Sequence, residues 1–462
     1  MTPRHIAVID IGKTNAKLVL VDAADLSEIA VITRPNAVRP GPPWPHFDVE
    51  GHWGFLRAGL RDLHAAHGID AISVTTHGAC AALLDEKGNL AAPILDYEHA
   101  GPDDLAREYA AIRPPFSETG SPKLAGGLNI GAQLYWQFRQ DPTLRGRTET
   151  IVTYPQFWAA LLTGKVAMDV TSLGCHTDLW NPHEGTFSSL VAGLEIADKL
   201  PSVRKPWEVL GPILPAIATE TGLCPGTPVH CGIHDSNASL LPYILAHDAP
   251  FSVVSSGTWV VAMSVGGTPV ALNPDLDALI NVTAHGTPAP SARFMGGREY
   301  DLATGGPYPD PTDDDLDAVM ARQVMLLPAV VPETGPFKGQ SATWIGPEPA
   351  VGTARRGAAF ALYLALVTAE CLRNIGHAGA VIVEGPFAGN TVYLEMLAAA
   401  TGSAVFSAAG VTGTSAGAAL LACDPKTVRP SQNRRIVPPA ERVAQLQDYA
   451  QMWQTHLDQR SL

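Results

Sequence analysis

Two stretches of this chain share one plan. Residues 5–22, HIAVIDIGKTNAKLVLVD, run as an apolar strand, a small polar turn and a second apolar strand. Residues 250–267, PFSVVSSGTWVVAMSVGG, repeat the plan, and Gly257 follows Gly12 by 245 residues (257 − 12). Apolar runs bounded by turn residues read as buried strands. One such hairpin therefore opens each half of the 462-residue chain. That spacing points to two lobes of related architecture, although no sequence identity marks a true repeat.

The rest of the pattern is α/β. Residues 53–66, 130–139, 155–163 and 234–246 carry helical spacing, and residues 71–76 (AISVTT) and 80–85 (CAALLD) read as strands. In the second half an apolar helix is predicted over 356–374, a strand and turn over 381–386, and a helix ending in glycine over 390–402. SAVFSA is a further strand, 414–422 a helix, and the tail from 437 polar and helical. Residues 267–356, rich in Pro, Gly and Asp, read as excursions and loops around a few elements. The predicted domains are residues 1–247 and 248–462.

Acidic residues outnumber basic ones by 45 to 31, a net charge of −14. That argues against a duplex-binding face, yet leaves room for a locally positive anion site. The six cysteines lack framework spacing and read as free thiols of a reducing compartment. The N-terminal residues show no apolar signal region. The most apolar helical run, 358–369, falls short of the ~20 residues of a membrane span. A cytoplasmic protein without membrane or nucleic-acid partners is expected.

Gly12-Lys13-Thr14 imitates the end of a P-loop. A true one needs a glycine where this chain has Ala7, and a helix where this chain has the strand-like KLVLVD. The turn is better read as a hairpin that can itself meet phosphate. Gly12 lets backbone approach an anion; Lys13, Thr14, Asn15 and Lys17 supply donors; Asp10 can hold Mg²⁺ through water. A charged, solvent-facing hairpin is the plain alternative. The second turn, Ser255-Ser256-Gly257-Thr258, is equally small and hydroxyl-rich. IVEGPFAGN (382–390) then places Gly385, Gly389 and Asn390 between a strand and a helix, where a nucleotide can lie on backbone.

These three elements, in this order, resemble the sugar kinase, heat-shock ATPase and actin superfamily. Within it the chain is similar to the FGGY carbohydrate kinases over roughly residues 5 to 425. DIGKTNAK and SSGTW match the two phosphate loops. THG with LLD (76–85), TYPQFWAALLTGK (153–165) and GIHDSNAS match further segments. HD and SSGTW look closest to the rhamnulose kinase branch and the ketose kinases around it. EGPFAGN replaces the family's multi-glycine adenosine turn, and FMGGREYDL (294–302) has no clear counterpart.

The resemblance implies two ribonuclease-H-like lobes with a cleft between them, and ATP with Mg²⁺ as the phosphoryl source. It implies Asp235 as the base toward a sugar hydroxyl; a helix N-cap is the alternative role for an aspartate there. His234 and Ser236 would flank the sugar. His77, Gly78, Asp96 and His176 match sugar-side positions; packing is the alternative for His77, a turn or cap for Asp96, and surface polarity explains His176 equally. Asn281 falls where the rhamnulose kinase branch has a nucleotide-side or sugar-side asparagine. Arg298 reads as a partner of Glu299 or a phosphate contact. The expected substrate is a deoxyketose such as rhamnulose or fuculose, or a related pentulose or polyol. Two other readings carry the same fold: an ATPase switch and a catalytically silent sugar sensor. Self-association as a homodimer is left open.

Overall fold

The computed structural model describes residues 3–305, 309–408, 413–424 and 433–460. The chain divides into two compact units. Unit 1 holds residues 1–246, 280–288 and 411–429; unit 2 holds 247–279, 289–410 and 430–462. Each unit is assembled from segments that are not contiguous in the chain.

Unit 1 is built on a seven-stranded sheet. The hairpin of His5–Ile11 and Asn15–Asp22 pairs antiparallel from His5↔Asp22 to Ile11↔Ala16, and Glu28–Pro35 extends it at the edge. On its other side His5–Ile11 runs parallel to Ala71–Thr76, which in turn pairs with Pro228–His230 and Ile233–His234. The inner strands are mostly apolar because both faces are covered. Ala7, Ile9, Leu18 and Leu20 pack with Leu56, Leu60 and Trp158 on one face. Ile6, Val8, Val19 and Val21 pack with Leu241, Ala418 and Leu421 on the other.

Unit 2 repeats the order. Phe251–Ser256 and Val260–Val265 form an antiparallel hairpin, extended by Pro288–Phe294. Phe251–Ser256 runs parallel to Ala380–Glu384, which runs parallel to Val405–Ser407. The helix Ala354–Asn374 crosses this sheet and is buried over most of its length. Much of 267–356 is regular: strands Ala278–Val282 and Pro288–Phe294, then helices Gly296–Thr304 and Asp313–Ala321. Proline and glycine mark the joints of this region and hide the short elements between them. No helix among the described residues is long and apolar enough to cross a membrane.

Candidate active site

The first turn of unit 1 is closed by the Gly12 N–H donating to the Asn15 carbonyl at 2.9 Å. Asn36 holds it from below, donating its backbone N–H to Thr14 O (2.9 Å) and its amide to Gly12 O (2.8 Å). The side chains of Thr14 and Asn15 stay toward solvent. Asp10, one strand residue before the turn, is 9% exposed and lies in register with Lys17 and Thr75. Burial pushes its carboxyl up, the Lys17 charge pulls it down and Asp235 raises it again, to about 6. A buried carboxylate that resists ionising, in the field of a second carboxylate, suits a place where a cation would be welcome.

Asp235 is the first residue of helix Asp235–Ala246 and follows directly on strand Ile233–His234. Its Oδ1 accepts the Ser236 N–H at 2.6 Å and the Ser236 hydroxyl at 3.3 Å, and lies 3.3 Å from His234 Nε2. Its Oδ2 has no protein partner among the described residues. One oxygen is anchored and the other is open to accept a proton or a hydrogen bond.

Two buried imidazoles stand beside it. The His77 ring packs among Phe47, Tyr97 and Tyr154 at centroid distances of 5.1–5.2 Å, and its Nδ1 faces Gly78 O at 3.0 Å. Its Nε2 is buried with no partner, and so is His234 Nδ1 among nitrogen and oxygen groups. Burial holds His77 below the usual histidine range, hence neutral. Gly78 is a glycine for a reason: a Cβ there would sit 2.6 Å from His234 Nε2. Cys175 is buried against His234 and His176. Burial lowers His234, but the Cys175 and Asp235 charges more than reverse this, to about 9. Burial raises the Cys175 thiol, and the two histidines bring it down to about 5. The His234 backbone N–H is fixed by the Thr171 hydroxyl at 3.0 Å.

Lys13, expected among the phosphate donors, is turned to Asp96. Its ammonium pairs with the Asp96 carboxylate and, at 3.1 Å, with Glu98, above the Tyr97 ring at 4.6 Å. Lys17 stays in the second strand across from Asp10.

In unit 2 a cavity of about 630 Å³ lies beside the second turn, lined by Gly257, Thr258, Gly297, Tyr300, Asp301 and Asn390 among others. A Cβ on Gly297 would collide with the Gly257 carbonyl, and one on Gly385 with the Ser256 carbonyl. Ser256 ties the turns together: its hydroxyl donates to Glu384 O and accepts the Phe387 N–H at 2.9 Å. Asn390 caps helix Thr391–Thr401, its side chain accepting from Tyr393 N at 3.0 Å.

The structure thus gathers Asp10, His77, Gly78, Asp96, His176, His234, Asp235 and Ser236 in unit 1, and Gly257, Thr258 and Asn390 at the cavity of unit 2. Asn281 is buried in the segment joined to unit 1, between Ile280 on Gly120 and Val282 on Gly174. Arg298 does not bridge Glu299. That carboxylate is buried and accepts from Val331 N (3.0 Å) and the Tyr363 hydroxyl (2.9 Å). Sequence reasoning missed Tyr97, Glu98 and Cys175 around the imidazole cluster of unit 1, and Gly297, Tyr300 and Asp301 at the cavity. The last three sit at i, i+3 and i+4 on one helix face, a spacing visible in FMGGREYDL.

This two-unit α/β fold is that of the carbohydrate kinases. Solved structures agree. A carbohydrate kinase from Novosphingobium aromaticivorans is 34% identical over the whole of both chains, with a TM-score of 0.91. The xylulose kinase of Lactobacillus acidophilus, 16% identical, shares the fold with a TM-score of 0.78 over 99% of this chain and 98% of its own. Residues 5–242 match the N-terminal domain of the FGGY family of carbohydrate kinases, and residues 248–431 match the carbohydrate kinase FGGY C-terminal domain. The chain belongs to the FGGY family of carbohydrate kinases. Among curated relatives, the L-fuculokinase of Escherichia coli (strain K12) is 26% identical over 276 residues, covering 57% of each chain. The match thus spans little more than half the length of that relative.

Proposed function

We propose that this chain transfers the γ-phosphate of ATP to a hydroxyl of a small sugar. The favoured acceptor is a ketose such as L-rhamnulose or L-fuculose, or a related pentulose or polyol. The observation that carries this reading is Asp235, with one oxygen anchored by Ser236 and the other unpartnered, beside the buried His77 Nε2, which also lacks a partner. Buried polar atoms in folded proteins are nearly always paired. A hydroxylated ligand would satisfy both atoms.

In this reading Asp235 Oδ2 accepts the proton of the attacking hydroxyl. Phosphoryl transfer asks mainly for positioning and charge stabilisation. His77, held neutral, and His234, held charged by Cys175 and Asp235, orient the sugar. Thr14 and Asn15 offer donors to phosphate, and the backbone at Gly257 and Gly385 leaves room for the nucleotide. Asp10 would hold Mg²⁺ through water, and such a cation supplies charge neutralisation at phosphate oxygens. A working place in the cytoplasm fits the six unpaired cysteines.

The test is an ATP-coupled assay of Asp235→Asn across a panel of ketoses and polyols. Turnover should fall by about 10²–10⁴-fold, the usual worth of a general base, while calorimetric binding of MgADP is unchanged. Near-normal turnover in the variant would remove Asp235 from this role.

A further inference from the structure

Lys13 occupies a turn that otherwise faces solvent, yet its ammonium leaves that turn. It reaches Asp96 and Glu98 and lies over the rings of Tyr97 (4.6 Å) and Phe47 (5.3 Å). Its side chain keeps only 21% of its exposure. Asp96 is itself fixed: its N–H donates to Pro45 O at 2.9 Å, its carbonyl accepts from His99 at 3.0 Å, and its Oδ1 accepts from Glu98 N at 3.2 Å. That leaves Asp96 Oδ2 and the Tyr97 hydroxyl without protein partners among the described residues. Tyr97 packs on His77 at 5.2 Å, so the clamp and the open nitrogen of His77 share one wall.

We propose that Lys13 is a sugar-specificity residue and not a phosphate ligand. Clamped between Asp96 and Glu98 on the Tyr97 ring, its ammonium sets a donor beside the open acceptor of Asp96, the pattern that recognises two neighbouring hydroxyls of an uncharged substrate. The inference rests on the sugar kinase reading above. Burial first, then the charges of Cys80, Glu98 and Asp235, keeps the Tyr97 hydroxyl protonated and therefore able to donate. Two carboxylates against one ammonium leave this wall negative, so a sugar acid or sugar phosphate presented here meets repulsion.

The experiment takes the full-length protein and the ketose it turns over best. Sugar KM and ATP KM are measured for wild type, Lys13→Met and Lys13→Arg. Lys13→Met should raise the sugar KM at least tenfold and leave the ATP KM within twofold, with MgADP binding intact by calorimetry. Lys13→Arg should recover most of the loss. Deoxy analogues lacking one of the paired hydroxyls should be penalised less by Lys13→Met than the parent sugar is. A tenfold rise in ATP KM with the sugar KM unchanged would make Lys13 a phosphate ligand, and no change in either would make it a structural pair; both overturn the proposal. If Lys13→Met does not accumulate folded, Glu98→Gln at the exposed end of the clamp decides instead, by the same split between sugar and ATP. A wild type that phosphorylates no sugar in the panel fails differently: it removes the kinase reading and this one with it.

Discussion

Asp10, next to last in the first strand, has its carboxyl pushed up to about 6, by burial before any charge. The usual structural aspartate has a depressed value and stabilises the fold at neutral pH; Asp10 has the opposite sign. Below pH 3.8, its ordinary value, it is protonated both folded and unfolded and costs nothing. As pH rises from there through about 6, the unfolded chain releases the proton first. The folded ligand-free protein loses stability over that window and carries the full cost above it. The cost is at most about 3 kcal/mol for a shift of this size. Asp10→Asn should therefore raise the melting temperature of the ligand-free protein at pH 7.5 and leave it nearly unchanged at pH 4. The same variant should need about 10–100-fold more Mg²⁺ for turnover, as for loss of an outer-shell ligand. A lower melting temperature at pH 7.5 would mean that the charged carboxylate is stabilising after all. In wild type, kcat/KM should decline as pH falls below about 6.

The turns between strands are the next scale. Gly385 follows strand Ala380–Glu384 with φ 78° and ψ −165°, a region that only glycine occupies without strain. A Cβ there would meet the Ser256 carbonyl. Gly385→Ala should cost roughly 3 kcal/mol or more by strain and collision together, and should weaken MgADP binding. Thermal melts and calorimetry check both, and a variant as stable as wild type would show that the turn can rearrange. Gly385 is legible in the sequence because a glycine between a buried strand and a helix start has few other uses. The two hairpins are legible for a similar reason: uninterrupted apolar runs such as IAVIDI and KLVLVD need both faces covered. Helix Gly296–Thr304 is not, since two glycines at its start and a low content of apolar residues imitate a loop. Lys13 is legible only in part. Its neighbours place it in a phosphate-type turn, whereas its partners Asp96 and Glu98 are more than eighty residues away along the chain, and only the folded chain brings them together.

At the scale of the whole molecule, the units are not continuous pieces of chain. Residues 411–429 belong to unit 1. Within them helix Thr414–Ala419 lies against helix Asp235–Ala246 so closely that a Cβ on Gly417 would collide with the Ala238 carbonyl. The Ser73 hydroxyl donates to Ala418 O at 2.7 Å. Residues 1–246 alone would leave Ile6, Val8, Val19, Val21 and Leu241 with one face uncovered. That fragment should be poorly soluble or bind a hydrophobic dye strongly, with no cooperative melt; a native-like melt would show that the later helix is dispensable. The same arrangement orders events during synthesis. The ribosome finishes the strands of the first unit well before the helix that seals them, which starts 180 residues after His234 (414 − 234) and so follows on the order of ten seconds or more later. Throughout that interval an apolar sheet face waits uncovered, open to the aggregation that such transient surfaces invite.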